Sequence, residues 1–155
     1  MAISESERLA EFSSAVREST MKRLRLVPEG LENWRITDED MSFADLARHL
    51  IDADEWTFEK LEIKELKPMV GRPGLAHVRQ REEYEALLSE LEETEKRRAA
   101  LLRGMTQAQL CETIFDERFG KEVTVWWNIV RGNLDHEIHH RGQIAACLSA
   151  VRQEQ

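Results

Sequence analysis

Apolar residues return at three- and four-residue intervals along most of the chain, which is the period of a helix face turned to a core. Between about Ser4 and Val27 they fall at Leu9, Phe12, Val16, Leu24 and Val27 among charges, predicting a first helix stopped by Pro28 and Gly30. Leu31 to Arg35 reads as a connector. Ser42 then caps a second helix, with Asp45 three residues on as its capping-box partner, running to about Leu61 or Leu66. Its inward face is Phe43, Leu46, Leu50, Ala53, Thr57 and Leu61. The turn formers of Lys67 to Gly74 mark a loop, and a third helix is expected from near Leu75 to Gly104. Thr106 to Leu110 predicts a single helical turn, and Glu112 to Val125, around Phe119-Gly120, a small hairpin or irregular excursion. A fourth helix should start near Val123 or Thr124 and reach Val151. The expected fold class is all-α, an up-and-down four-helix bundle with a short hairpin or irregular excursion before its last helix.

With 155 residues the chain predicts one domain, 1–155, with a core large enough to close without disulfides. A net charge of -8 argues against nucleic acid and anionic lipid as partners. Its basic clusters, Met21 to Arg25 and Lys96 to Arg98, read as solvated helix ends, and the charge run Glu90 to Arg98 as a solvated face. No apolar run approaches a bilayer span and the first residues lack an export signal, so no membrane partner and a cytoplasmic location are expected. Cys111 and Cys147 have no paired spacing and read as reduced thiols, Cys147 packed in the core. Trp126 and Trp127, with Trp34 and Trp56 upstream, are read as core or dimer-interface packing.

The fourth helix carries the chemistry. At helical spacing from Ile129 its inward seam is Asn133, His136, His140, Gln143, Cys147 and Ala150. Imidazole is costly on such a face unless its nitrogens are satisfied, and two rings one turn apart can satisfy each other through a shared cation. His139 competes with His140 for the second position. Helix phase favours His140, about 40° from His136 on the side of Ile129 and Cys147, and leaves His139 a boundary residue. On the second helix His49 lies about 60° from the centre of the apolar arc, inward at its edge, where it can supply a third nitrogen. Three neutral imidazoles with no fourth protein ligand leave an open coordination position, as in reactive rather than closed sites.

The segments Ser42-Phe43-Ala44-Asp45-Leu46-Ala47-Arg48-His49-Leu50 and Leu134-Asp135-His136-Glu137-Ile138-His139-His140-Arg141-Gly142-Gln143-Ile144 resemble the DinB/YfiT-like superfamily in order and separation. The resemblance covers the whole chain. It implies one divalent metal ion on His49, His136 and His140, often in a homodimer, and, in the better-understood branches, transfer or isomerisation with a low-molecular-weight thiol. Zinc or nickel come ahead of iron or manganese as the ion.

The expected function is a metal-dependent transferase that activates such a thiol for attack on a small electrophile. The alternative is a non-enzymatic metal-binding stress-response bundle whose ion is structural. Metal-assisted hydrolysis would need a general base, and no carboxylate is well spaced on the seam. Asp52 and Asn133, one turn from His49 and His136, are candidate outer partners of the rings, and Gln143 is a candidate for the rings or a substrate.

Overall fold

A computed structural model describes residues 2–64 and 66–154. Four long helical segments form the bundle: α1 (Glu5–Leu24), α2 (Phe43–Ile63), α3 (Arg81–Arg103), and a last helix made of α5 (Val125–Ile129), a wide turn (Val130–Leu134) and α6 (Asp135–Glu154). Between α3 and α5 come the short α4 (Gln107–Cys111) and an antiparallel hairpin, β1 (Thr113–Asp116) with β2 (Lys121–Thr124), in register Thr113 to Thr124 and Asp116 to Lys121. The helical bundle with a hairpin before its last helix is the architecture that the sequence pattern predicts. Among the described residues no helix is long and apolar enough to cross a membrane.

The helix directions follow from paired residues. Leu24 meets Tyr84, and Glu7 meets Arg103, so α1 and α3 are antiparallel. Arg48 meets Glu90, and Glu55 meets Arg97, so α2 and α3 run the same way. The succession is therefore up, down, down, up, which corrects the alternating up-and-down order expected of the bundle, with α1 and α2 each packed between α3 and α6. Parallel neighbours need a connection that returns along the bundle, and the stretch between α2 and α3 is that strap.

The strap also explains why α3 begins at Arg81 rather than near Leu75. Trp56 Nε1 donates to the Lys67 carbonyl, Asp45 accepts the N–H groups of Gly74 and Ala76, and Asn33 pairs with both backbone groups of Val78. These side chains hold the backbone extended where local propensity permits helix. Asp45 also closes the capping box with Ser42 that starts α2.

The core has two apolar clusters with a charged layer between them. One contains Leu24, Leu50, Tyr84, Leu91 and Ile144, the other Leu9, Leu102, Leu110, Ile129 and Leu134. Between them in sequence, on four helices, lie buried Arg17, Asp54, Arg98 and Glu137. Arg98 therefore corrects the reading of Glu90 to Arg98 as a solvated face: its side chain is 2% exposed, and Leu91 and Thr94 are buried with it. Phe12, counted with the apolar face of α1, is 50% exposed; Ser13 and Arg17 take the inward positions.

Candidate metal centre

His49 reaches the centre from α2, while His136 and His140 stand one turn apart on α6. Nε2 of His136 lies 3.0 Å from Nε2 of His49 and 3.0 Å from Nε2 of His140. One ligand atom from each ring falls within 4.8 Å of the others. His139 is exposed and only packs its ring against His140, with centroids 5.0 Å apart.

Whether these rings suit a cation can be judged from their protons. His140 Nδ1 is 2.6 Å from Gln143 Oε1, an acceptor, so this nitrogen donates and the neutral ring leaves Nε2 as a bare lone pair. Burial pushes the basicity of all three rings down, to about 4 for His49 and about 3 for His136, with neighbouring rings adding to the effect. Neutral rings have one N–H each. His136 Nε2 therefore cannot hydrogen-bond to both neighbours without an additional positive centre, since one proton serves one contact. A cation among three lone pairs resolves the conflict. Ligand bonds of about 2.0–2.1 Å in a tetrahedral site separate nitrogens by about 3.3–3.4 Å, close to the spacing present. The site fits a divalent ion.

The predicted outer partners are placed differently. Gln143 touches His140 as described, although its side chain is otherwise exposed. Asp52 turns to Arg48, at 3.8 Å, rather than to His49. Asn133 donates to Asp54 and Thr57 and accepts from Arg98, so its amide is turned to these groups rather than to the ring of His136. Nδ1 of His49 and Nδ1 of His136 are buried without a hydrogen-bond partner among the described residues. Gly71 of the strap closes over His49: a Cβ there would stand 2.9 Å from Cε1 and 3.0 Å from Nδ1 of the ring.

The wide turn changes the phase of the seam. The Asp135 N–H bonds to the Val130 carbonyl, five residues back, so one extra residue is accommodated just before the histidines. Beyond it the buried line is Glu137, His140, Ile144, Cys147 and Leu148 rather than one through Gln143 and Ala150. His136 is consequently half-buried at the edge, while His49 and His140 are 3% and 6% exposed.

The sequence reading missed the charged layer that orients these helices. Arg17 bonds Asp54 at 2.8 Å and Glu137 at 2.8 Å; Arg98 bonds Asp54 at 2.9 Å and Glu137 at 2.7 Å. Each of the four bundle helices contributes one charge. Burial alone would raise both carboxyl pKa values, but the two guanidiniums overcome it and hold Asp54 low and Glu137 at about 2. Glu137 adjoins His136 in the chain, so clamping its carboxylate fixes the rotation of α6 and the aim of the ring. A signal was available: Arg98 occupies the apolar spacing of Leu91 and Leu102, where an unpaired cation would be expensive.

His136 borders a recess of about 60 Å³ with Ala53, Trp56, Met69, Arg118 and Gly132. An outer cleft of about 610 Å³ shares His136, Arg118 and Gly132 and adds Phe119, Arg131 and His139. Trp56, read from sequence as packing, thus walls the recess. Trp126 and Trp127 lie elsewhere and are 36% and 39% exposed, which removes the core from the reading of core or dimer-interface packing.

The model of the DinB superfamily matches residues 14–144, and the chain belongs to that superfamily. Among solved structures it is similar to a DinB-like protein from Bacillus subtilis, with TM-score 0.68 and 16% identity over 93% of this chain and 91% of that one. An uncharacterized protein from Clostridium difficile 630 is similar with TM-score 0.67 and 14% identity, over 94% and 96%. At these identities the likeness is one of fold. No curated protein matches the chain.

Proposed function

We propose that the protein is a metal-dependent transferase that activates a low-molecular-weight thiol for attack on a small electrophile. The observation that carries the reading is the meeting of buried His49 and His140 with half-buried His136, which borders a recess. Zinc or nickel are the proposed ions, since neutral nitrogen donors suit both. When bound, such an ion lowers the pKa of a coordinating thiol, so that the thiolate persists near neutral pH.

The chain's own residues do the rest. Low ring basicity keeps all three imidazoles in the ligating form, and Gln143 holds the tautomer of His140 that presents Nε2. Gly71 and the strap cover the ring of His49, and the ion pairs of Glu137 hold α6 in register. In the proposed reaction the thiol proton leaves to solvent, the sulfur forms a bond to the electrophilic carbon, and the leaving group departs with its electron pair. Homodimerisation remains a further proposal, tested by sedimentation.

The experiment is a conjugation assay on metal-replete protein with several cellular thiols and a generic electrophile bearing a leaving group. Thioether formation above the uncatalysed rate, lost on chelation, supports the reading. Stoichiometric metal without turnover for any thiol, and a bundle that melts on chelation, would instead make the ion structural.

A further inference from the structure

Arg118, on the turn of the hairpin, is held by an aromatic ring, a carboxylate and a backbone carbonyl. Its guanidinium lies 4.3 Å over the ring of Trp56, its Nε and Nη2 bond the carboxylate of Asp116 at 3.0 and 2.6 Å, and its Nη1 bonds the Gly132 carbonyl at 2.7 Å. Asp116 is itself fully buried and takes a further bond from Asn128. This is a cation fixed on three sides rather than a mobile surface arginine.

Its position is set by a missing side chain. A Cβ on Gly132 would stand 2.1 Å from Nη2 and 2.7 Å from Cζ, so the guanidinium end rests directly on the glycine backbone. Gly132 precedes His136 by four residues, which places the two on neighbouring turns of the last helix. Both the recess and the outer cleft are lined by Arg118 and His136 together. The nearby charges are Asp116, committed behind the guanidinium, and Arg131 with Asp135, which pair with each other on the exposed rim.

A guanidinium has five N–H groups, and three are used among the described residues. Two remain, in a half-buried side chain that borders the recess. A recess of about 60 Å³ has room for about two waters, so a group that enters it between Arg118 and His136 is short.

We propose that Arg118 is the anion-recognising residue of the substrate site, and that the thiol substrate carries a carboxylate a few atoms from its sulfur. The two free N–H groups receive the carboxylate while the sulfur reaches the centre formed by His49, His136 and His140. Gly132 and Trp56 fix the guanidinium for this purpose, and Asp116 holds its orientation without filling its remaining donors. The assignment rests on the thiol-transfer reading and adds to it the class of thiol.

The test uses cobalt(II)-loaded protein and the thiolate-to-metal absorption that appears as a thiol binds. Two probes of equal length are titrated, 3-mercaptopropanoate and 3-mercapto-1-propanol. Charge-assisted hydrogen bonds predict that the acid binds the wild type about ten-fold or more tightly than the alcohol. In Arg118→Gln this preference should fall to about two-fold. Equal affinities in the wild type, or the same preference in Arg118→Gln, overturn the proposal. If the variant does not fold, the wild type decides: the acid's advantage should shrink with added salt, and an advantage indifferent to salt counts against a guanidinium contact. Failure to take up cobalt would refute the metal centre and, with it, this role of Arg118. Uptake without a thiolate band for either probe removes the thiol reading, and this proposal with it.

Discussion

Nε2 of His136 and Nε2 of His49 stand 3.0 Å apart although 87 residues separate them in the chain. Neither ring has a hydrogen-bond partner for its buried Nδ1 among the described residues, so the polar contacts of both rings are made at Nε2, with each other and, for His136, with His140. Two helices have brought these nitrogens together where burial keeps both rings neutral, with one N–H each.

Removal of any one ring should therefore abolish tight metal binding, whereas His139→Ala should leave it intact. Elemental analysis after dialysis is expected to give about one equivalent of ion for the wild type and His139→Ala, and far less for His49→Ala, His136→Ala and His140→Ala. Full metal content in His136→Ala would exclude the triad.

Gln143→Leu removes the acceptor of His140 Nδ1–H without touching a ligand atom. Loss of such a partner typically weakens metal affinity by about 10–100-fold, and that range is expected from competition with a chelating dye. Unchanged affinity would show that the tautomer of His140 is fixed by other means.

The metal-free protein should lose stability on mild acidification. His49 and His136 have folded pKa values of about 4 and about 3, below the ordinary value of 6.5, so below pH 6.5 the unfolded chain binds protons that the folded one refuses. Stability then falls as pH drops through that window, by about 1.4 kcal/mol per pH unit for each proton taken up. Denaturant titrations should show a loss of about 2 kcal/mol or more between pH 7 and pH 5, a range in which Asp54 and Glu137, both held low, are still ionised in either state. The same loss in a variant lacking both His49 and His136 would assign it to other groups.

Glu137→Ala leaves Arg17 with Asp54, and Arg98 with Asp54 and Glu95, as their carboxylate partners among the described residues. Breaking one partner of such a network costs about 3–5 kcal/mol, measurable as a shift of the denaturation midpoint. A loss of less than about 1 kcal/mol would mean that the layer is solvated in solution.

One substitution at two glycines of the last helix should have opposite signs. At Gly142 a Cβ meets nothing within 4 Å, and Ala should stabilise by about 0.5–1 kcal/mol through helix propensity alone. At Gly132 it meets Arg118, and Ala must expel the guanidinium from its seat, lowering stability and opening the recess at His136. Thermal melts of the two variants decide the matter.

Much of this was legible in the chain. The capping box Ser42/Asp45, the turn formers after α2 and the helical period of the long segments all act between residues a few positions apart, and local geometry is fixed by local sequence. The spacing of His136 and His140 belongs to the same class, because the rise of a helix sets it. Arg98 was misread for the complementary reason. Its immediate neighbours Lys96 and Arg97 are charged and exposed, and of the groups that make its burial tolerable Glu95 is local, whereas Ser13, Asp54, Asn133 and Glu137 arrive from distant segments.

By itself the sequence determined that the chain folds into long amphipathic helices and that two imidazoles share a face of the last one. Tertiary structure alone decided that α2 and α3 run parallel, that the strap between them lies over His49, and that a wide turn rotates the last helix so that His136 opens onto Arg118. The physical reason is range. Periodicity and capping are settled within a turn or two of backbone, whereas the ion pairs, the glycine contact and the meeting of three lone pairs exist only after distant segments have packed.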